Sequence, residues 1–582
     1  MALALTGCSL ALAQRSAQAQ AFNPGVLNPG LQQQQQLQEQ QQERLPQVER
    51  GEPKPLLQEE EPTAPAPGAT DPELLINQVR FEGNTVIPSA ELEAPFAPLL
   101  GKPIRFSELE QAVNAGSNLY RDRGYFTSRL VLPEGGLRDG VLTVLAVEGY
   151  LETAEVSGKG SEAFKAWVRR YLSPVLAGPR RPESPSPAPI RFADLERQLL
   201  LLQAIGGVRY GATLAPGQAF AGSKLVIELD PKPFGASVSI NNNLQQQLGD
   251  AQLGANITAN LLINRPYQLD LGGTIALPEP QSSRSGTLAV ATPIGTSGLK
   301  LNLSGALTKT LSTNLAPGSG FDVESGGTST LGSLALRYPL LLSRQSSVNL
   351  SLQGDLQNSS NNAYVDGLEV SGSTDRLRVI RLGVDASHAT PFAASTASLT
   401  LSQGLDGLGA EVSSQSAALA NPLAKPVFTK AQLTLRHQQR LGGSNGFLTL
   451  TGLGQLAANP LPTPEDFSYG GPFLGRAYKG SVLIGDQGIA GGVELSHVFY
   501  PSPATTLTPF VFGDVGYARN REAGEAVQQS AQAASYGLGL RGSWASNASF
   551  EVGWAIPAAN TVVGGRDGPA NSIVYFRASV GF

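Results

Sequence analysis

From about residue 234 to the end of the chain, apolar and polar residues alternate with a period of two, the pattern of strands with one greasy face and one wet face. In "ASYGLGLRGSW", Tyr536, Leu538, Leu540 and Trp544 share one face, and Gly537, Gly539, Arg541 and Ser543 the other. In "SFEVGWAIP", Phe550, Val552, Trp554 and Ile556 oppose Glu551, Gly553 and Ala555. The last segment aligns Val574, Phe576, Ala578, Val580 and Phe582, with Arg577 opposite. A charge on the less apolar face suits a water-filled lumen and not lipid. Turn-rich clusters such as "APGSGFDVESGG" and "NSSNNAYVDG" separate the strands. No convincing helix interrupts the tract. At about 22 residues per strand and connection, it holds about 16 strands, an even number as bacterial barrels require.

The region before it reads differently. Residues 74–149 predict a β-α-α-β-β unit. "INQVRFEGN" is a strand running into a turn. Ser89 is expected to cap a first helix that stops at Gly101, and Ser107 with Glu110 to form a capping box on a second. Leu109, Val113, Leu119 and Tyr120 form the apolar stripe of that second helix, and Gly124 closes it. Residues 151–232 repeat the order more loosely, with a Pro-rich insert at 179–189 and a helix stopped at Gly206-Gly207. Upstream, residues 31–44 are Gln-rich with poor apolar spacing, which fits a solvated helix or a disordered tail. Seven prolines between 46 and 72 make a stiff, extended linker. Residues 2–13 with Ala17-Gln18-Ala19 read as an export signal; the usual basic stretch is missing, which places the expected true start further upstream. Leu5-Thr6-Gly7-Cys8 also resembles a lipobox, which would make Cys8 a lipid anchor. The expected division is signal peptide 1–19, Gln-rich helix and linker 20–72, two small domains at 73–149 and 150–233, and a barrel at 234–582.

Composition supports this division. Charged residues are 15% against about 25% in soluble domains, and Gly is 66 of 582. Mean hydropathy is -0.08, and no run of 18 apolar residues suggests a transmembrane helix. On composition alone a soluble sandwich or propeller array is the alternative. One Cys excludes an internal disulfide, and His388, His437 and His497 are too scattered for a zinc site. A net charge of -5 gives no case for nucleic acid. No G-x-S-x-G elbow or Ser/His spacing stands out as a hydrolase site and there is no P-loop, so neither an enzyme nor a nucleotide-driven pump is expected, nor any cofactor.

The run "VRFEGN…LYRDRGYFTSRLVLPEG…DGVLTVLAVEG" resembles the polypeptide-transport-associated (POTRA) domain of two-partner secretion transporters, the haemolysin and adhesin secretion-activation family. Residues 151–232 resemble that family's second POTRA domain, and the rest its 16-stranded barrel. The resemblance implies an outer-membrane translocator with its POTRA domains in the periplasm. Its partners would be a secreted exoprotein of β-helical fold, the outer-membrane assembly machinery and the lipid bilayer. In the family a long loop folds back into the lumen with a V-R-G-Y-type tip. Here that tip is Leu474-Gly475-Arg476-Ala477-Tyr478, with Gly485, Asp486, Gly488 and Glu494 matching the motif that follows. "FVFGDVG" supplies the partner motif, Phe512, Asp514 and Gly516. The expected site is therefore a bidentate clamp of Arg476 on Asp514. The Gln-rich helix is expected as a resting plug, and the terminal Phe582 as an assembly signal. An assembly insertase with a related barrel and a passive porin are the competing readings.

Overall fold

The structure, a computed structural model, describes residues 28–43, 58–59, 71–177, 188–313, 315, 320–415, 421–442, 445–502, 504–521, 530–545, 547–558, 562–563, 566–567 and 571–582, with the side chains of the first helix described as far as Gln36. The expected signal segment, its cleavage site and Cys8 lie outside these residues.

The alternating tract closes into an antiparallel barrel. Its sixteen wall strands are numbered here in chain order. They are β1 Phe234–Asn241, β2 Ala251–Leu262, β3 Pro266–Leu277, β4 Ser283–Ile294, β5 Leu299–Ser312 and β6 Val323–Leu342. Next come β7 Ser346–Val365, β8 Leu368–Ala389, β9 Ala393–Gly404, β10 Thr429–Leu441 and β11 Gly446–Ala457. The last five are β12 Gln487–His497, β13 Thr505–Arg519, β14 Ser530–Trp544, β15 Ala548–Pro557 and β16 Ile573–Gly581. Each pairs with its sequence neighbours. The wall closes where β1 meets β16, from Ser237↔Gly581 to Asn241↔Arg577. Closure leaves no backbone edge unpaired, the condition for crossing a hydrocarbon layer with strands. Tyr536, Leu538, Trp544, Phe550, Val552, Trp554, Val574, Phe576 and Val580 are all exposed on the outside, as the alternation predicts. Glu551, Asp514 and Glu494 are buried inside. Among the described residues after 234, helix is limited to two single turns, Gln246–Leu248 and Thr463–Glu465.

Two small domains stand at the rim where the connections between strands are short. In the first, helix α3 (Phe106–Asp122) packs Leu109, Val113 and Tyr120 on strands Gln78–Glu82 and Val141–Val147, which pair in parallel. The short helix α2 is Ser89–Glu93. The capping expectations shift by a residue or two. Pro88 precedes α2, and α3 starts at Phe106 rather than after Ser107. The main-chain N–H of Arg105 donates to Glu108 Oε2 at 2.8 Å, and Asp71 accepts from Ser107 N at 2.9 Å, so an upstream carboxylate does the capping assigned to the serine. Gly124 closes α3 with φ of 85° as expected, whereas α2 ends at Glu93 and is capped at Ala94, short of the expected stop at Gly101.

The second domain has helices α4 (Glu162–Tyr171) and α5 (Phe192–Gln203) on a sheet of Tyr150–Gly158, Gly222–Leu229 and Tyr210–Pro216. Linker residues Gln58–Glu59 add to its edge beside Thr213 and Leu214. This domain is fastened to the barrel. Arg197 donates to Pro339 O at 2.6 Å, Gln198 to Thr296 O at 3.3 Å, and Lys300 to Ala204 O. Leu262 and Leu342 join its core.

Candidate functional site

Two features fill the lumen. Helix α1, Pro29–Glu43, lies against β5, β6 and β7. It forms because Gln and Glu favour helix, and because Pro29 opens it behind Asn28, whose Oδ1 accepts from Gly30 N at 2.8 Å. Its side chains meet the wall amide to hydroxyl. Ser329 Oγ donates to Gln33 Oε1 at 3.0 Å, Gln33 Nε2 to Thr308 Oγ1 at 3.5 Å, and Gln34 Nε2 to Gln357 Oε1 at 3.3 Å. Poor apolar spacing, a weak signal for a soluble helix, is appropriate on a wet wall.

The second feature is the connection from β11 to β12, residues 458–486. It folds inward as a short hairpin, Phe467–Tyr469 paired with Leu483–Gly485, with the tip at 470–480. Two anchors hold it. At its root, Glu465 is fully inside and bidentate on Arg381 at 2.5 and 3.1 Å. Lys430 Nζ lies 2.7 Å from its other side, and Arg381 also contacts Asp355 at 2.7 Å. A buried carboxylate between two cations is favourable only as a complete set, because each charge left alone keeps its desolvation cost. Sequence reasoning missed this anchor; its only signal was that Asp355, Arg381 and Lys430 fall on lumen-facing strand positions. Gly30 of α1 packs directly over Pro464, so helix and loop root touch.

The tip carries the residues singled out in the sequence. Gly475 has φ of 80°, and a Cβ there would meet Tyr469 and the Gly470 backbone at 2.8–3.0 Å. That turn aims Arg476 at the wall, with its guanidinium carbon 4.2 Å from the Phe512 ring centroid. Its short ion contact is with Glu494, 2.8 Å, while Asp514 stands 3.6 Å from Nε and accepts from the Arg476 main-chain N–H at 3.5 Å. The expected bidentate pairing with Asp514 is thus replaced by a two-carboxylate seat. Register explains the difference. Glu494 is the cross-strand partner of Phe512, whereas Asp514 faces Gly492, so stacking on Phe512 delivers the guanidinium to Glu494. The row then continues, with Arg541 bridging Glu494 at 3.0 Å and Glu551 at 2.7 Å, and Arg577 reaching Glu551 at 2.8 Å.

The remaining motif residues pack around this seat. Tyr478 OH donates to Ala534 O at 2.9 Å. Gly516 lies under Tyr469, Gly488 under Phe467, and Gly485 against the Arg519 backbone. Asp486 accepts from Leu461 N at 2.6 Å and Arg521 N at 2.7 Å, tying the loop to the β13–β14 connection. Phe582 stands apart from the seat, at the rim that carries the two domains, exposed on the outside, its N–H donating to Ala236 O at 2.8 Å. Among the described residues no group of three or more His, Cys, Asp or Glu could hold a metal ion.

An apolar exterior, a charged lumen that holds a helix and an inward loop, and two domains at one rim define an outer-membrane β-barrel with periplasmic domains. The chain belongs to the haemolysin secretion/activation protein family ShlB/FhaC/HecB, whose model matches residues 221–542, more than half of its length. A POTRA domain of the ShlB type matches residues 74–149. The outer membrane transporter CdiB of Dickeya dadantii (strain 3937) is 23% identical over 485 residues, covering 83% of this chain and 82% of that protein. The hemolysin transporter protein ShlB of Serratia marcescens is 25% identical over 483 residues, covering 81% and 80%. The structure of CdiB from Escherichia coli shares the fold, with a TM-score of 0.72 at 21% identity over 97% of this chain and all of that one. The chain is thus a two-partner secretion transporter of the outer membrane, with its POTRA domains in the periplasm and an exoprotein partner as cargo. The insertase and porin readings are not favoured.

Proposed function

We propose that this transporter takes an exoprotein of β-helical fold in the periplasm and passes it, unfolded, through a lumen that α1 and the 458–486 loop hold shut at rest. The observation that carries the reading is the seat of Arg476, a loop cation buried between Glu494, Asp514 and Phe512. A loop fastened by so few charged contacts can leave the wall as one unit and return to one place. The helix suits the same role. Its amide contacts exchange for water at little net cost, since a typical hydrogen bond contributes only about 1 kcal/mol. An apolar plug of the same size would resist removal far more.

Sheet edges offer the cargo a docking mode that needs little sequence readout, because an extended segment can add to them by backbone pairing. In the first domain, strand Gln78–Glu82 lies at such an edge. In the second, the linker strand Gln58–Glu59 occupies one edge, and Tyr150–Gly158 is the other. Phe582, ending an outward-facing apolar alternation, serves in this reading as the tag by which the assembly machinery takes up the barrel. No catalytic step is assigned to any residue.

The test is secretion of an exoprotein partner from cells carrying this chain or its variants. Arg476→Ala is expected to insert into the outer membrane as wild type does and to secrete poorly. Separately, removal of residues 20–50 is expected to raise single-channel conductance in planar bilayers. Wild-type secretion from the Arg476 variant would rule out the clamp, and unchanged conductance would rule out the plug.

A further inference from the structure

Arg284 on β4 and Lys309 on β5 are directly opposed cross-strand partners. Both face outward. Their strand neighbours Ser283, Thr308 and Thr310 are buried on the lumen side, while Leu288, Leu303 and Leu307 are 44–47% exposed on the same outer face as the two cations. Chain direction sets their height. Strand β1 leaves the periplasmic domains, so β4 descends from the cell-surface side and β5 returns to it. Arg284 is the second residue of β4, and Lys309 lies three residues before the end of β5. The pair therefore sits at the outer-leaflet rim of the barrel.

Two like charges directly opposite one another destabilise a sheet, and cations on the lipid face of a barrel cost more the deeper they lie. Among the described residues nothing offsets either cost. Among the described residues, neither Arg284 nor Lys309 makes a hydrogen bond or an ion pair with a side chain. Other outward cations near that rim are satisfied. Arg376 pairs with Glu411 at 3.0 Å, and Arg378 donates to Asn358 Oδ1 at 3.0 Å and Leu408 O at 3.1 Å. Between the two unpartnered cations the surface is hollowed. Gly286 has no atom within 4 Å of where its Cβ would be, and it opens a groove of about 310 Å³ with Ser285 and Leu307. Below the groove run Leu288, Leu303 and Leu307; beside it, Thr328 faces Lys309 and Ile275 faces Arg284.

We propose that Arg284 and Lys309 form a binding site for the phosphate of an outer-leaflet glycolipid, whose acyl chains lie along the leucines below. Guanidinium and ammonium together match a phosphate in charge and donor geometry, and one dianion would relieve their mutual repulsion. A free anion would gain the same contacts but nothing from the apolar column.

The test is titration of the full chain, purified in a neutral detergent, with bis-phosphorylated lipid A, read as bound lipid by native mass spectrometry. Saturable binding is expected, weakened roughly tenfold or more in Arg284→Ala/Lys309→Ala, on the scale of one or two charge-assisted contacts. The exchanged variant Arg284→Lys/Lys309→Arg should bind as wild type does, which separates loss of the site from a folding defect. Inorganic phosphate should not compete at the same concentration, and phosphatidylcholine should not bind in its place. Equal affinity in the double alanine variant would overturn the proposal. So would full competition by inorganic phosphate, equal binding of phosphatidylcholine, or association of two copies of the chain in place of lipid uptake.

Discussion

Gly516 lies face to face with Tyr469, so close that a methyl group on the glycine would stand 2.5 Å from the ring. One residue is in the wall and the other in the inward hairpin, so the glycine is the mortise that lets the loop root seat. Gly516→Ala must displace the ring. Overpacking of this kind costs about 1–3 kcal/mol. The barrel itself should still form, because the other wall contacts of β13 are untouched. The expected result is a heat-modifiable barrel whose 467–485 segment becomes sensitive to added protease. A loop as protected as in wild type would show that the ring has another place to go.

Glu494 serves two cations, Arg476 and Arg541, whereas Asp514 stands near one. Truncating Glu494 takes the short partner from Arg476 and one of two partners from Arg541, which keeps Glu551, and breaking a buried pair by removing one partner costs about 3–5 kcal/mol. We predict that Glu494→Ala lowers secretion and thermal stability more than Asp514→Ala. The reverse ranking, in barrels inserted to equal levels, would refute the two-carboxylate seat.

The helix can be locked. Gln33 and Ser329 touch at 3.0 Å between side chains, so cysteines at the two positions lie within the span of a short bifunctional reagent. In a chain with Cys8 replaced, Gln33→Cys/Ser329→Cys bridged by a short bis-methanethiosulfonate should fail to secrete, with recovery on adding reductant. Undiminished secretion from the cross-linked form would show that cargo passes with α1 in place.

In the first periplasmic domain, Glu148 is buried and gathers four donors. It accepts from Thr85 N at 2.7 Å, Val86 N at 3.1 Å, Tyr120 OH at 3.0 Å and the Thr85 hydroxyl. Burial, and then the neighbouring carboxylate, push the Tyr120 phenol well above its usual range, so it stays a donor at any physiological pH. Glu148→Ala leaves buried donors without acceptors, at about 1–3 kcal/mol for each group left unsatisfied. Amide exchange at Thr85 and Val86 should accelerate by at least tenfold, with barrel amides unchanged. Unaltered exchange would mean that water replaces the carboxylate.

The barrel was legible because its signal is repeated: a period of two, sixteen times over, with charges such as Glu494, Asp514 and Glu551 on the lumen side and the outward exceptions, Arg284 and Lys309 among them, near a strand end. Arg541, Glu551 and Arg577 could be placed inside from alternation alone. Their linkage into one row could not, because it depends on cross-strand register, and register has no local signature. Likewise Arg476 and Asp514 were found through their motifs, but the choice of Glu494 as the short partner follows from which residue stands opposite Phe512. The helix caps slipped for a related reason. Asp71 reaches Ser107 from 36 residues upstream, and no window around Ser107 contains it. Glu465 was the hardest to see. It lies in a Pro-flanked loop whose inward fold comes from long-range pairing.

The second periplasmic domain leans on one arc of the barrel mouth. Its fastenings, through Ser161, Arg197, Gln198, Ala204 and the packing of Leu262 and Leu342, reach strand ends from the end of β2 to the turn after β6. The arc from β9 to β15 receives none of them among the described residues. The mouth therefore has a front and a back, and a polypeptide held by this domain would meet the pore off-axis, across the bare arc.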